Sequence, residues 1–230
     1  MVNILLEGLD IDADWLKGTL KNYLKPYHKV VIVALSFGDE ISNEEDWQRE
    51  FNRRNGGYYK ALLPGLLSYG ISEDNISIIN YFTDSTESAI QKVKHADVVY
   101  FLGGLPDRMY DRIVEMGLLD TFRNFNGIAM GFSAGALIQL SEYHLYPDQD
   151  YNDFGYYKGL GYIDDFYHEV HYTGTPVQDE SIRRVIAQRN KTVYVTTLSK
   201  GAIVCDGGSV KLVGEVKTYN KSKVLPPIEV

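Results

Sequence analysis

A short apolar run, Gly127-Ile-Ala-Met130, leads straight into Gly131-Phe-Ser-Ala-Gly135 and then into Ala136-Leu-Ile. The pattern is glycine-x-serine-x-glycine placed between a buried strand and a helix, here read over residues 134–142. It demands a sharp turn at Ser133, with glycines on either side because the backbone closes on itself too tightly for a Cβ. Such a turn lifts the Ser133 hydroxyl off the sheet edge and leaves the Ala134 backbone N–H free at the helix start. A chain built around it needs a sheet whose strands alternate with helices, and the remaining sequence supplies one.

Aliphatic runs at 2–6, 29–35, 75–80, 97–102 and 127–130 read as buried strands. Helical periodicity fills the gaps. Residues 12–24 put Trp15, Leu16, Leu20 and Leu24 on one face. Residues 43–67 form a longer helix broken near Gly56-Gly57. Ser85 caps 85–94, and Pro106 opens 107–116. This alternation predicts an α/β three-layer sandwich with a mainly parallel sheet, and its ligand sites fall at the carboxyl ends of the strands. The 230 residues show no linker, repeat or low-complexity segment, so residues 1–230 read as a single domain.

Beyond the serine turn the character changes. Residues 143–161 are rich in tyrosine, aspartate and glycine and read as an excursion or hairpin over the site. A strand at 166–172, a helix at 177–189 and strands at 192–197, 202–205 and 209–213 follow, with Asp206-Gly-Gly208 as a tight turn.

Composition narrows the function classes. The formal charge of −8 argues against a nucleic-acid partner. No apolar run approaches the roughly 18 residues of a membrane span, and Met1-Val-Asn-Ile lacks the basic start of a signal peptide, so a cytoplasmic location is expected. The one cysteine, Cys205, sits in an apolar run and reads as a strand residue.

A serine hydroxyl is a weak nucleophile until a base takes its proton, so the turn predicts a histidine. His28 and His95 lie far from the expected strand ends, and His144 follows the elbow helix. His168 and His171 share the run Phe166-Tyr-His-Glu-Val-His-Tyr172. Residues three apart in an extended segment point to opposite faces, so only one of this pair can face Ser133. A second oxyanion donor is expected from Val98-Val-Tyr-Phe-Leu-Gly-Gly104, a strand ending in two glycines.

Together Gly131-Phe-Ser-Ala-Gly-Ala136, Phe101-Leu-Gly-Gly104 and Gly159-Leu-Gly161 followed by His171-Tyr172 resemble the serine peptidase family of peptidase E (aspartyl dipeptidase) and cyanophycinase. The resemblance implies a class I glutamine amidotransferase-like (flavodoxin-like) fold. It also implies Ser133 as nucleophile, His171 as base, and the N–H groups of Gly104 and Ala134 as oxyanion hole, with a short peptide or small amide as substrate. No metal or organic cofactor is implied, and homodimers fit the family.

The chain departs from the family pattern at three places. Gly103-Gly104 is followed by Leu105-Pro106 rather than glycine-asparagine, which remodels that rim of the pocket. The family's third triad member, a glutamate, aligns with Lys200. A cation cannot stabilise an imidazolium, so Asp165, Glu169 or Asp206 is expected to substitute, or the site is a dyad. The arginine that takes aspartyl substrates in peptidase E has no clear counterpart. Gly103, Leu105 and Lys200 are therefore the expected pocket residues. The alternative reading is a degenerate member that binds a small ligand or protein partner without turnover. A carboxylate on the far side of His171 separates the two readings.

Overall fold

The computed structural model describes residues 1–223. Five aliphatic runs form β1 (Val2–Leu6), β2 (Val30–Val33), β3 (Ile76–Ile79), β4 (Val98–Phe101) and β5 (Ile128–Phe132). They pair in parallel in the order β1-β5-β4-β2-β3. Nearly every position in them is buried, as a sheet covered on both faces requires. Alternate residues feed two cores. Ile4, Ile32, Val98 and Met130 pack with Leu16, Leu20 and Leu66 on one side. Leu5, Val33, Phe101 and Ala129 pack with Val93, Met109 and Leu137 on the other. The result is three layers.

The connecting helices are α1 (Asp14–Leu20), α2 (Glu44–Phe51), α3 (Gly57–Leu67), α4 (Thr86–Lys94), α5 (Pro106–Glu115) and α6 (Leu119–Arg123). The break anticipated at Gly56-Gly57 is real: a Cβ on Gly56 would lie 2.5 Å from the Asn52 nitrogen. Ser85 caps α4 by accepting from the Ser88 N–H, and Pro106 occupies the first turn of α5. No helix among the described residues is long and apolar enough to cross a membrane.

After Ser133 the chain forms α7 (Ala134–Leu137), the hairpin β6 (Glu142–Leu145) and β7 (Gly155–Lys158), then β8 (Phe166–Tyr172), α8 (Pro176–Arg189), β9 (Thr192–Asp206) and β10 (Ser209–Tyr219). Two expectations are corrected here. The elbow helix stops at Leu137 instead of reaching residue 142, because Ser141 donates to the Ile163 carbonyl and Leu140 bridges Ile163. Residues 192–197 and 202–205 belong to one strand, not two. Gly201 pairs with Gly214 inside the β9–β10 ladder, where a bulge between Gly214 and Val216 absorbs the irregularity. The turn at Gly207-Gly208 is as expected, with φ of 54° and 82°.

The long β9 organises the site. Its residues 202–206 run antiparallel to β1, and its residues 192–197 run parallel to β8, while β10 follows the other edge throughout. Strands β1 and β8 therefore share one lane beside β9, with their carboxyl ends aimed at each other. Next to β1, the carboxyl end of β5 carries Ser133.

Candidate active site

Ser133 sits between β5 and α7 with φ 52° and ψ −121°. This is a positive-φ backbone that a side-chain-bearing residue rarely adopts, and it is a mark of functional turns. The flanking glycines are needed by contact. A Cβ on Gly131 would lie 2.1 Å from the Gly135 carbonyl oxygen, and one on Gly135 would lie 2.1 Å from the Phe101 carbonyl oxygen. The Ser133 N–H donates to the Leu6 carbonyl (3.1 Å), which ties the turn to the end of β1.

His171 lies at the end of β8, where the β8–β9 register shifts between Glu169 and Tyr172 and His171 itself takes φ 54°. This irregularity brings the ring to the serine, with Nε2 2.8 Å from Ser133 Oγ. The opposite nitrogen, Nδ1, is 2.5 Å from Glu7 Oε1, and the His171 backbone N–H donates to both Glu7 oxygens at 3.0 and 3.2 Å. With Nδ1–H given to a carboxylate, Nε2 is left bare to take the serine proton. The hydrogen bond to Glu7 raises the His171 pKa above its ordinary value; burial opposes the shift and the Glu7 charge adds to it.

Glu7 follows the last residue of β1, and its side chain is only 6% exposed. Its second oxygen accepts from Thr196 Oγ1 at 2.5 Å, and Thr196 Oγ1 lies 3.0 Å from His168 Nε2. Because Thr196 gives its proton to Glu7, its lone pair is free to accept from His168 Nε2–H. His168 therefore faces away from Ser133 in a buried position, and burial lowers its pKa to about 3. A relay runs from Ser133 through His171, Glu7 and Thr196 to His168.

The sequence reading did not find Glu7. The substitutes it offered lie elsewhere: Asp165 and Asp206 are exposed, and Glu169 is buried against His144 at 2.7 Å. The available signal was a charged residue closing the apolar run Val2–Leu6 at the carboxyl end of a central parallel strand. Lys200 is also corrected. It is exposed and is not among the residues lining the cleft, since β9 runs unbroken through that position.

Above Ser133 opens a cleft of about 1110 Å³, lined among others by Glu7, Gly103, Gly104, Leu105, Ser133 and His171. Ser36 pins the glycine loop at its edge. Its Oγ donates to the Gly103 carbonyl (2.6 Å), and its own carbonyl accepts the Leu105 N–H (2.7 Å). Gly104 has φ 133°, and a Cβ there would strike the Ser36 carbonyl oxygen at 2.3 Å. Among the described residues, the N–H groups of Gly104 and Ala134 have no hydrogen-bond acceptor. Ala134 is itself buried beneath the cleft. From the tyrosine-rich hairpin only the tip, Gln149 to Tyr151, reaches the cleft; Tyr151 donates to Asp107 (2.6 Å), while Tyr143 is buried in the core.

A sequence model described as Peptidase family S51 matches residues 55–213, more than half of the chain. Among solved structures, a Listeria monocytogenes EGD-e protein described as peptidase E superposes with a TM-score of 0.66 at 18% identity, covering 93% of this chain and 98% of that one. A peptidase from an acI-B1 Actinobacterium gives a TM-score of 0.64 at 15% identity, covering 95% and 93%. At these identities the likeness is one of fold: an α/β architecture with a large, mostly parallel central sheet. Among curated proteins there is no match.

Proposed function

The chain belongs to peptidase family S51, and from that premise we propose that it hydrolyses a short peptide or small amide through an acyl-enzyme on Ser133. Ser133 Oγ attacks the carbonyl carbon while His171 Nε2 takes its proton. The N–H groups of Gly104 and Ala134 receive the oxyanion. Collapse breaks the C–N bond, and the leaving amine departs with the proton from His171. Water then adds to the ester, giving its proton to His171. The second collapse releases the acid and returns the proton to Ser133. Glu7 holds the imidazole in the productive tautomer and stabilises its charged form through both half-reactions.

One observation carries this reading over a binding-only one: the carboxylate 2.5 Å from His171 Nδ1, on the side away from Ser133. The lysine aligned with the family's glutamate would remove such a partner, and Glu7 supplies it from a different strand. The cleft is walled by residues 36–41 and the hairpin tip, a bounded space that suits a short peptide better than a folded chain.

Labelling by a fluorophosphonate tests the reading. The native protein is expected to take up one probe per chain, and Ser133→Ala and His171→Ala each to lose it; losses of about 10⁶ are typical for either residue of such a unit. Labelling of Ser133→Ala at the native rate would overturn it.

A further inference from the structure

Ser133, His171 and the cleft above them make this a binding site; the charge of its walls says what it admits. Asp39, Glu40, Asp46, Glu50, Asp107 and Asp150 line the cleft, against Arg49 and Arg108. Both arginines are already engaged, Arg49 with Asp46 and Arg108 with Asp39 at 3.9 Å. A third guanidinium, Arg112, lies behind the wall, donates to the Leu35 and Phe37 carbonyls and stacks 3.6 Å from the centre of the Phe37 ring. Glu50, Asp107 and Asp150 remain without a cationic partner inside the cleft, Glu40 has only the Arg112 charge behind the wall, and the four come from separate segments of the lining.

Glu40 is the best placed of these. One of its oxygens accepts the Gly38 N–H (2.9 Å). A Cβ built on Gly38 would lie 2.5 Å from the other oxygen and 3.5 Å from Leu105 Cδ1. The carboxylate therefore stands on the same cleft wall as the Leu105 side chain, at the edge of the loop that carries Gly104. Phe51, Tyr58 and Phe132 add aromatic surface to the same walls, and such faces attract cations as well. A substrate carboxylate entering this space would meet like charge from several directions, against two half-exposed guanidiniums, Arg49 and Arg108, that already face Asp46 and Asp39.

We propose that the cleft selects short peptides carrying a cationic group, an ammonium or guanidinium, beside the scissile amide and disfavours aspartyl ones. This rests on the acyl-transfer reading of Ser133, so its test must separate the two. The probes are diphenyl phosphonate analogues of lysine, norleucine and aspartate, each with a free and an acetylated amine, together with a fluorophosphonate that carries no side chain. Lysine and norleucine differ only by the terminal ammonium.

The lysyl probe is expected to label about tenfold faster than the norleucyl one at low salt, the lower end of what a charged cleft adds for an opposite charge. The ratio is expected to fall towards one in Glu40→Gln and in Glu50→Gln, and at about 0.5 M salt, where screening shortens to a few ångströms. If the lysyl advantage survives acetylation, the side chain supplies the charge. If instead free-amine probes outpace acetylated ones whatever the side chain, the α-ammonium does; either result supports the proposal. Equal rates for lysyl and norleucyl probes with no effect of acetylation, a faster aspartyl probe, or no reaction of the lysyl probe would overturn the substrate class, provided the fluorophosphonate still labels Ser133. Absence of fluorophosphonate labelling would overturn the serine reading, and this proposal with it.

Discussion

Two histidine–carboxylate pairs stand side by side in this molecule and do different things. In one, His144 Nε2 meets Glu169 Oε2 at 2.7 Å with both side chains almost fully buried, 1% and 2% exposed. In the other, His171 meets Glu7 at 2.5 Å with the histidine 42% exposed. The sealed pair leaves His144 Nδ1 and Glu169 Oε1 without partners among the described residues. The open pair has its carboxylate held from both ends, by Thr196 and by the His171 backbone, and its far ring nitrogen on a hydroxyl. Burial raises the Glu169 pKa, with the His144 hydrogen bond opposing it, whereas in the open pair the Glu7 hydrogen bond raises the pKa of His171. The same two residue types thus brace a core in one setting and, in the mechanism proposed, poise a base in the other. What separates them is whether the second ring nitrogen reaches the cleft.

Removing one member of the sealed pair should cost the most stability. His144→Ala leaves Glu169 buried and unpaired and is expected to lower unfolding stability by about 3–5 kcal/mol. The fluorophosphonate labelling rate of the folded fraction should fall by less than about tenfold, because the two pairs meet only through Thr196 Oγ1, which lies 3.5 Å from the Glu169 carbonyl. Denaturant titration alongside labelling checks both, and a large rate loss at unchanged stability would show that the pairs are one unit.

Thr196→Val should loosen Glu7 without removing it. Losing a hydrogen bond to a charged group is worth about 1.5–3 kcal/mol, which is roughly 10–100-fold if it falls on reactivity. Thr196→Ser restores the hydroxyl and should restore the rate; a serine variant as slow as valine would assign the effect to packing instead.

The pH profile sharpens the contrast further. Below its pKa His171 carries a proton and cannot accept one from Ser133, so labelling should rise with pH. Because Glu7 raises that pKa, the midpoint is expected above about 6.5, the ordinary histidine value. Glu7→Gln should move it down, and a midpoint unmoved by that change would detach Glu7 from the base. The smallest effect is expected at Lys200, where Lys200→Ala should leave the labelling rate within about twofold, as for other exposed positions away from such a site.

The parallel half of the molecule was legible because its evidence is local. Each of β1 to β5 is a mostly apolar run, and Ser133 announces itself by two glycines that have no room for a Cβ. The other half was legible only in parts. Alternation along β8 rightly kept His168 and His171 from sharing a face, yet it could not choose between them, since a bulge and a positive φ at His171 settle the matter. Residues 192–197 and 202–205 read as two strands, although in the folded chain Gly201 between them pairs with Gly214 within an uninterrupted strand. Glu7 was out of reach for a topological reason. It lies 164 residues from His171, and the two meet only because β1 and β8 end head to head beside β9.

Glu7 is the residue on which the proposed base depends, and the decisive measurement is the second-order labelling rate of Glu7→Gln at unchanged thermal stability, with Lys200→Ala as its companion. The expected result is a loss of about 10⁴-fold for the glutamine variant, as when a triad carboxylate is neutralised in place, and a native rate for the alanine one. A Glu7→Gln protein that labels as fast as native would show that Glu7 does not support His171 as a base.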